Sequence, residues 1–147
     1  MTTALTLTNI SKIFGETRAV DNVSLKIEKG QFIGVIGRSG AGKSTMLRLI
    51  NRLIDPTAGS VAFQGTEITT LKGKQLRTWR RDCAMIFQQF NLVERLDVLT
   101  NVLIGRLAVH GFISSMAMQF TDQERTMALE ALDRLDLVPQ ALQRAGT

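Results

Sequence analysis

A glycine-rich run at residues 37–45 constrains the fold of this chain more than any other feature. Its spacing fits G-x-x-x-x-G-K-[ST], with Gly37, Gly42, Lys43 and Ser44 at the fixed positions. An apolar run long enough for a buried strand precedes it, and a helix-like segment follows it. A strand, a glycine loop and a helix in this order are typical of a phosphate-binding loop. The sequence therefore predicts a nucleotide site on an α/β fold.

The chemistry of this loop follows from its residue types. Glycines accept positive φ angles and let a ligand approach the backbone, and a helix that starts near Gly42 points its positive dipole end at a bound anion. We expect Lys43 to reach the β- and γ-phosphates and Ser44 to ligate Mg²⁺. The structural alternative, a glycine-rich turn entering an ordinary helix, leaves the pair Lys43-Ser44 unexplained. The other predicted cofactor-binding residues of the loop are Gly37, Arg38, Ser39, Gly40, Ala41 and Thr45.

Length and composition fit one globular domain of ordinary size. The chain has 147 residues, and 44% of them are apolar, which is enough for a packed core. No apolar run approaches the roughly 18 residues of a membrane helix, and the N-terminus lacks the pattern of a signal peptide. A single cysteine, Cys83, excludes an internal disulfide, and its apolar surroundings in the sequence predict packing in a buried strand.

The net charge of +5 allows an anionic partner or simply a solvated surface. No recognition-helix or zinc-finger pattern accompanies the basic residues, so no nucleic-acid partner is expected. A solvated helix face, or a contact with a membrane partner, is favoured instead. Much of the excess charge is clustered around the one tryptophan, Trp79, in Lys72, Lys74, Arg77, Arg80 and Arg81.

Apolar spacing and turn residues predict the other elements of the first ninety or so residues. Alternating apolar residues favour strands, and the helix after the glycine loop is expected to stop before Asp55-Pro56. A loop is expected at residues 57–59. The predicted strands are 5–10, 23–27, 32–36, 60–63 and 84–88, and the predicted helices run from about Lys43 to Leu53 and from Lys74 to Arg81.

From Val98 onward the pattern becomes helical. Apolar residues at 99, 102, 103 and 107 fall on one face of a predicted helix. Thr121-Asp-Gln-Glu124 fits a capping box ahead of a second helix that ends before Pro139. Residues 111–120 are expected to link the two helices, with packing as the role of Met116 and Met118.

This order of segments resembles the ATP-binding subunit of ABC transporters over essentially all 147 residues. Besides the glycine loop, two places carry the resemblance. Phe14 stands where that family has an aromatic ring that stacks on adenine, and residues 86–92 look like its Q-loop, with Gln88 as the glutamine. The resemblance implies an α/β P-loop NTPase core with an N-terminal antiparallel β-subdomain at residues 1–90. It also implies an incomplete helical subdomain at 91–147.

Physical reasons support the roles that the resemblance implies for Phe14 and Gln88. An aromatic face stacks on adenine with about 1–3 kcal/mol, by analogy with base stacking on protein rings. The structural alternative for Phe14 is a core residue at a strand end. A glutamine carbonyl can ligate Mg²⁺ while its amide orients a water, so the resemblance implies metal-binding and catalytic roles for Gln88, with Lys43 as the other catalytic residue. The structural alternative for Gln88 is a polar residue that ends a strand.

Within that family, residues 50–57, 101–107 and 112–120 are similar to those of phosphonate importers. This likeness implies a subunit that uses ATP and Mg²⁺ to drive uptake of phosphonate or a related phosphorus oxyanion. A polar amino-acid or methionine importer is an alternative, as is a truncated nucleotide-binding protein without ATPase activity. A P-loop kinase or GTPase is disfavoured because its chemistry needs neither Phe14 nor Gln88.

The resemblance also implies partners. Membrane permease subunits would contact the Q-loop and the helical region, a second ATP-binding subunit would dimerise head to tail, and a separate protein would bind the transported solute. The subunit would lie peripherally on the cytoplasmic face of the inner membrane. Asp97 and Thr100 depart from the Ser/Thr and Glu that many relatives carry, which alters the expected contact with the membrane subunit.

Relatives continue past the position of Thr147 into the LSGGQ signature, the Walker B aspartate, the catalytic glutamate and the switch histidine. None of these is in the sequence, and His110 lies too early to be the switch. We therefore expect the 147 residues alone to hydrolyse ATP negligibly. We also expect residues 32–36 and 84–88 to lack sheet neighbours, which would make the chain marginally stable and prone to associate.

Overall fold

The computed structural model describes residues 3–88, 91–107 and 120–146. The chain divides into two compact units, Met1–Met85 and Ile86–Thr147. Among the described residues, the first unit contains a four-stranded sheet and two helices. The described part of the second unit, residues 86–88, 91–107 and 120–146, contains two helices and a short 3₁₀ turn. The division of roles predicted for residues 1–90 and 91–147 stays a prediction.

The sheet of the first unit is antiparallel throughout. Its strands are β1 (Thr3–Phe14), β2 (Thr17–Glu28), β3 (Ala58–Phe63) and β4 (Thr66–Glu67), arranged in the order β2-β1-β3-β4. The strands predicted at 5–10, 23–27 and 60–63 are therefore confirmed. Ala58 and Gly59, predicted to lie in a loop, begin β3 instead, because Ala58 pairs with Ser11 of β1.

Two helices cover this sheet and complete its core. They are α1 (Lys43–Ile50) and α2 (Gly73–Asp82), so the helix predicted from Lys74 to Arg81 is confirmed. The indole of Trp79 packs on Phe63 with ring centroids 5.2 Å apart. Most of the basic residues predicted around Trp79 are exposed on α2, as expected of a solvated helix face. The buried apolar residues of this core are Leu7, Ile10, Val20, Leu49, Val61, Ile68 and Trp79.

The prediction of a buried strand at residues 32–36 is wrong. The segment has no strand pairing, and Phe32 and Ile36 are each 97% exposed. A continuous apolar run suits a strand that is covered on both faces by neighbours in a parallel sheet. Among the described residues every paired strand belongs to the antiparallel sheet, so this run has no partner to complete it.

The strand predicted at residues 84–88 is wrong for the same reason, since the segment is unpaired and Ile86 is 94% exposed. Cys83 consequently lies in no strand but caps the C-terminus of α2. It is half-buried, and burial raises the pKa of its thiol. The exposed apolar segments agree with the expectation that both runs lack sheet neighbours, while self-association stays a prediction.

The helix after the glycine loop is shorter than predicted, ending at Ile50 rather than near Leu53. Arg52 turns into the left-handed region at φ 56°, which stops the helix before the predicted proline signal. Its buried guanidinium donates to the Ile68 carbonyl and to the Asp55 carboxylate at 2.7 Å. Tertiary hydrogen bonds therefore set the end of this helix.

In the second unit, the helices are α3 (Val98–Ile104) and α4 (Asp122–Asp133), followed by the 3₁₀ turn Val138–Gln140. The predicted capping box is confirmed, because Thr121 and Glu124 exchange side-chain and backbone hydrogen bonds. The buried residues of α4 are spaced four apart at Glu124, Ala128 and Leu132.

The start of α3 explains the two residues that depart from the family pattern. The carboxylate of Asp97 accepts hydrogen bonds from the Thr100 amide at 2.6 Å and from the Thr100 hydroxyl at 2.9 Å. Together they form an N-cap, a local role that needs no partner protein. On the predicted apolar face of α3, Leu103 is buried but Val102 remains 36% exposed.

Some predictions fall on residues outside the described ranges. They are the link at 111–119 with Met116 and Met118, the surface role of His110, and two residues of the Q-loop segment, Gln89 and Phe90.

Candidate nucleotide-binding site

The glycine loop runs without regular secondary structure into the first turn of α1. Gly40 and Gly42 adopt left-handed φ angles of 80° and 82°, and Gly42 is the N-cap of the helix. A Cβ atom on Gly42 would lie 2.0 Å from the carbonyl oxygen of Ala19 on β2. This glycine is therefore required both by its backbone angle and by close packing against the sheet.

The loop presents unpaired amide donors. Between residues 38 and 45, and within the described part of the chain, only the amide of Ala41 finds an acceptor, the Arg38 carbonyl at 3.2 Å. The first amides of any helix lack partners in the preceding turn, and the macrodipole adds positive potential there. Loop and helix together thus offer a cluster of donors suited to phosphate oxygens.

The side chain of Lys43 closes the loop. Its ammonium donates hydrogen bonds to the carbonyl of Gly37 at 2.6 Å and to that of Arg38 at 2.7 Å. An ammonium is a compact charge with three donors, so it can hold the loop and still face an anion. The structure thereby brings the first and last parts of the predicted motif together around one positive group.

The remaining predicted loop residues line the same turn. Arg38, Ser39 and Ala41 are exposed, as is Ser44 in the first turn of α1, whereas Thr45 is half-buried. An exposed hydroxyl at this position is available to a hydrated cation. No group of three or more His, Cys, Asp or Glu side chains capable of holding a metal occurs within residues 3–88, 91–107 and 120–146.

Phe14 lies at the end of β1, where it pairs with Thr17 across the hairpin. Its side chain is 50% exposed and is not part of the buried core, which disagrees with the alternative of a core residue at a strand end. A half-exposed ring has a face available for stacking. Its contact with adenine stays a prediction.

Gln88 is exposed and belongs to the second compact unit, whereas the glycine loop belongs to the first. Its predicted approach to Ser44 and Mg²⁺ therefore stays a prediction. The alternative, a polar residue that ends a strand, is wrong, because residues 84–88 form no strand.

Sequence reasoning missed two residues that shape the site. Lys12 places its ammonium 5.0 Å from the ring centroid of Phe14, and the carbonyl of Ala19 faces Gly42. Spacing could have indicated Lys12, because residues two apart on a strand share a face. Nothing in the sequence could have indicated Ala19, because its contact depends on how α1 packs against β2.

The sequence model described as ABC transporter matches residues 20–146 of this chain. The chain belongs to the ABC transporter family. The match includes the glycine loop and most of both compact units. No helix within the described ranges is long and apolar enough to cross a lipid bilayer.

Two curated relatives define the likeness within the family. The phosphonates import ATP-binding protein PhnC of Rhizobium meliloti (strain 1021) is 57% identical over 141 residues, which cover 96% of this chain and 50% of the relative. The PhnC of Rhodopseudomonas palustris (strain BisB5) is 55% identical over 132 residues, covering 90% of this chain and 49% of the relative. The chain thus spans about half the length of the curated relatives it matches.

Solved structures of ABC cassettes share the fold. A nucleotide-free ATP-binding cassette from an ABC transporter is 28% identical, with a TM-score of 0.79, over 98% of this chain and 58% of its own. A dimeric cassette in a post-hydrolysis state, bound to ADP and phosphate, is 33% identical, with a TM-score of 0.76, over 96% and 61% of the two chains. The α/β fold of an ABC ATPase, predicted from the sequence, is therefore confirmed.

Proposed function

We propose that this chain binds Mg-ATP as the phosphate-binding part of an importer's ATP-binding subunit. The observation that carries the proposal is the loop at residues 37–45, where most amides have no acceptor and the ammonium of Lys43 is held by the carbonyls of the same loop. A triphosphate would supply the acceptors that these donors lack. Its negative charge would make each hydrogen bond, and the one from the Lys43 ammonium above all, stronger than a bond between neutral groups.

The predicted site residues take distinct roles in this proposal. Lys43 neutralises the terminal phosphates. The amides from Arg38 to Thr45 donate hydrogen bonds to phosphate oxygens, and the backbone angles of the glycines orient these amides toward the ligand. Ser44 and Gln88 would hold Mg²⁺, and the ion would supply charge neutralisation at the phosphates. Phe14 stacks on the adenine. The 147 residues alone are expected to release phosphate from ATP at a negligible rate, because they do not include the Walker B aspartate or the catalytic glutamate that the family resemblance implies.

A matched pair of lysine variants tests the proposal. Lys43→Ala should weaken Mg-ATP binding at least about 30-fold, because hydrogen bonds to charged groups contribute about 1.5–3 kcal/mol each. Lys74→Ala, which removes the same charge from the exposed face of α2, should change the affinity less than about twofold. Isothermal titration calorimetry would measure both. Equal affinities in the two variants would remove the assignment.

The transported solute is proposed to be a phosphonate or a related phosphorus oxyanion, supported by the names of the PhnC relatives. Partners would be permease subunits reached through the Q-loop and helical region, a second ATP-binding subunit, and a separate solute-binding protein. The assembly would lie at the cytoplasmic face of the inner membrane.

A strain with the gene disrupted should fail to grow on an alkylphosphonate as sole phosphorus source yet grow normally on phosphate. Normal growth on both would contradict the assigned solute.

A further inference from the structure

One cation stands over the exposed aromatic ring of the site. Lys12 and Phe14 are two residues apart on β1 and therefore share a face of the strand. The Nζ atom of Lys12 is 5.0 Å from the ring centroid. This distance lies within the range of about 6 Å in which an ammonium is attracted to the negative face of a ring.

The position of this ammonium is fixed by the neighbouring loop. Nζ donates a hydrogen bond to the carbonyl of Asp55 at 2.7 Å. The loop itself is tied to β1, because the Ile13 amide donates to the Thr57 hydroxyl at 3.0 Å and the Thr57 amide donates to the Ser11 carbonyl at 2.8 Å. Lys12 is therefore a held charge rather than a mobile surface lysine.

We propose that Lys12 is a positioning residue for the nucleotide base. It covers one face of Phe14, a residue that is still 50% exposed with Lys12 in place, and the opposite face is the one assigned here to the base. A ring held in advance loses less conformational freedom when the base arrives. This inference rests on the proposed binding of ATP and adds a residue that acts on the base but not on the phosphates.

The test separates base binding from phosphate binding by comparing Mg-ATP with Mg-tripolyphosphate, which has no base. Lys12→Met should weaken Mg-ATP binding about 2- to 5-fold, the range expected of an exposed cation–π contact, and leave tripolyphosphate binding unchanged. Lys12→Arg should keep the wild-type affinity for Mg-ATP, since a guanidinium can also stack on a ring face and donate to a carbonyl. Lys26→Met, which removes an exposed lysine from β2, is the charge-matched control.

A double-mutant cycle isolates the coupling. In a Phe14→Ala background, Lys12→Met should have no further effect on Mg-ATP binding. The inference would be overturned if Lys12→Met weakened the binding of Mg-ATP and of Mg-tripolyphosphate equally, or if it left the affinity for Mg-ATP unchanged. Either result would leave the proposed phosphate site in place. Failure of the wild-type chain to bind either ligand would instead overturn the proposed function and this inference with it. If Lys12→Met does not fold, Lys12→Gln takes its place with the same expected outcomes.

Discussion

The two ends of α1 use the same backbone chemistry in opposite ways. At the N-terminal end, the amides near Gly42 and Lys43 are left without acceptors in a solvent-exposed loop. At the C-terminal end, the Ile50 carbonyl accepts from the indole of Trp79 at 3.1 Å, and the Arg52 carbonyl accepts from Arg80. Donors are thus kept for a ligand at one end, while carbonyls are used for stability at the other.

This contrast between the two ends of α1 explains how the glycine loop can keep its conformation although most of its amides have no acceptor. Unsatisfied amides add nothing to the stability of the fold, so their position must be determined by packing elsewhere. The buried side chain of Asn51 donates to the Cys83 carbonyl at 2.8 Å, which joins the C-terminus of α1 to the end of α2. We infer that α2 stabilises the helix whose other end carries the proposed phosphate site.

The largest expected effect tests the C-terminal end at Trp79. Trp79→Ala should lower the free energy of unfolding by about 3–5 kcal/mol, because it leaves a cavity beside Phe63 and frees the Ile50 carbonyl. Trp79→Phe keeps the ring and loses only the hydrogen bond, so it should cost about 1 kcal/mol. Urea denaturation followed by circular dichroism measures both. Comparable stability of the alanine variant and the wild type would show that Trp79 does not hold the C-terminal end of α1.

The next effect tests the N-terminal end with two glycines of similar φ angle. Gly42→Ala should destabilise the chain by about 2–5 kcal/mol, because a left-handed alanine also meets the Ala19 carbonyl at 2.0 Å. Gly40→Ala has no atom within 4 Å of its added Cβ and should cost only about 1–2 kcal/mol. The measurement is again the free energy of unfolding. Equal losses would mean that the backbone angle alone, and not the contact with β2, sets the requirement.

A smaller effect is expected from the ion pair that ends α1. Arg52→Met should cost about 1–3 kcal/mol, mainly because it removes the buried, charged hydrogen bond to the Ile68 carbonyl, which then keeps only the Leu71 amide at 3.2 Å. Arg18→Met, which breaks an exposed pair with Asp21, should cost less than about 0.5 kcal/mol. Thermal melts at low and high salt distinguish the two, since salt screens the exposed Arg18 pair but leaves the buried hydrogen bond from Arg52 to the Ile68 carbonyl in place. An Arg52→Met effect that disappears at high salt would count against this buried hydrogen bond.

The smallest effect concerns pH. Because burial raises the pKa of the Cys83 thiol above its ordinary value of 9.0, the folded chain disfavours the thiolate. The unfolded chain loses this proton first, so stability should be unaffected below pH 9.0 and should fall as the pH rises above it. Alkylation by iodoacetamide at pH 8 should be slower in the folded chain than in urea. Equal alkylation rates in both states would remove the effect.

Local patterns predicted much of the structure. The alternation in β1 and β2, the capping box at Thr121 and the polar helix around Trp79 were all recognisable, because each depends on residues close in sequence. The glycine loop was also recognisable, since the left-handed angles of Gly40 and Gly42 need a residue without a Cβ atom. For Phe14 and Gln88, the sequence supports roles that the structure leaves as predictions.

The failures share one cause, which is dependence on distant neighbours. Residues 32–36 and 84–88 have the composition of buried strands, but a strand requires a paired edge that the described residues do not provide. The end of α1 was misplaced because the guanidinium of Arg52 finds an acceptor in the Ile68 carbonyl, which lies 16 residues away in the sequence. Local propensity contains no information about such long-range acceptors.

The sequence by itself determined the glycine loop that we propose to bind phosphate, because the spacing of Gly37, Gly42, Lys43 and Ser44 specifies the donors within one short segment. Only the tertiary structure decided how that turn is held, through the Ala19 carbonyl against Gly42 and through Trp79 at the far end of α1. It also decided which face of Phe14 is covered, by placing Lys12 between the ring and Asp55. Contacts of this kind depend on how strands and helices pack together, and packing is not encoded in any short run of residues.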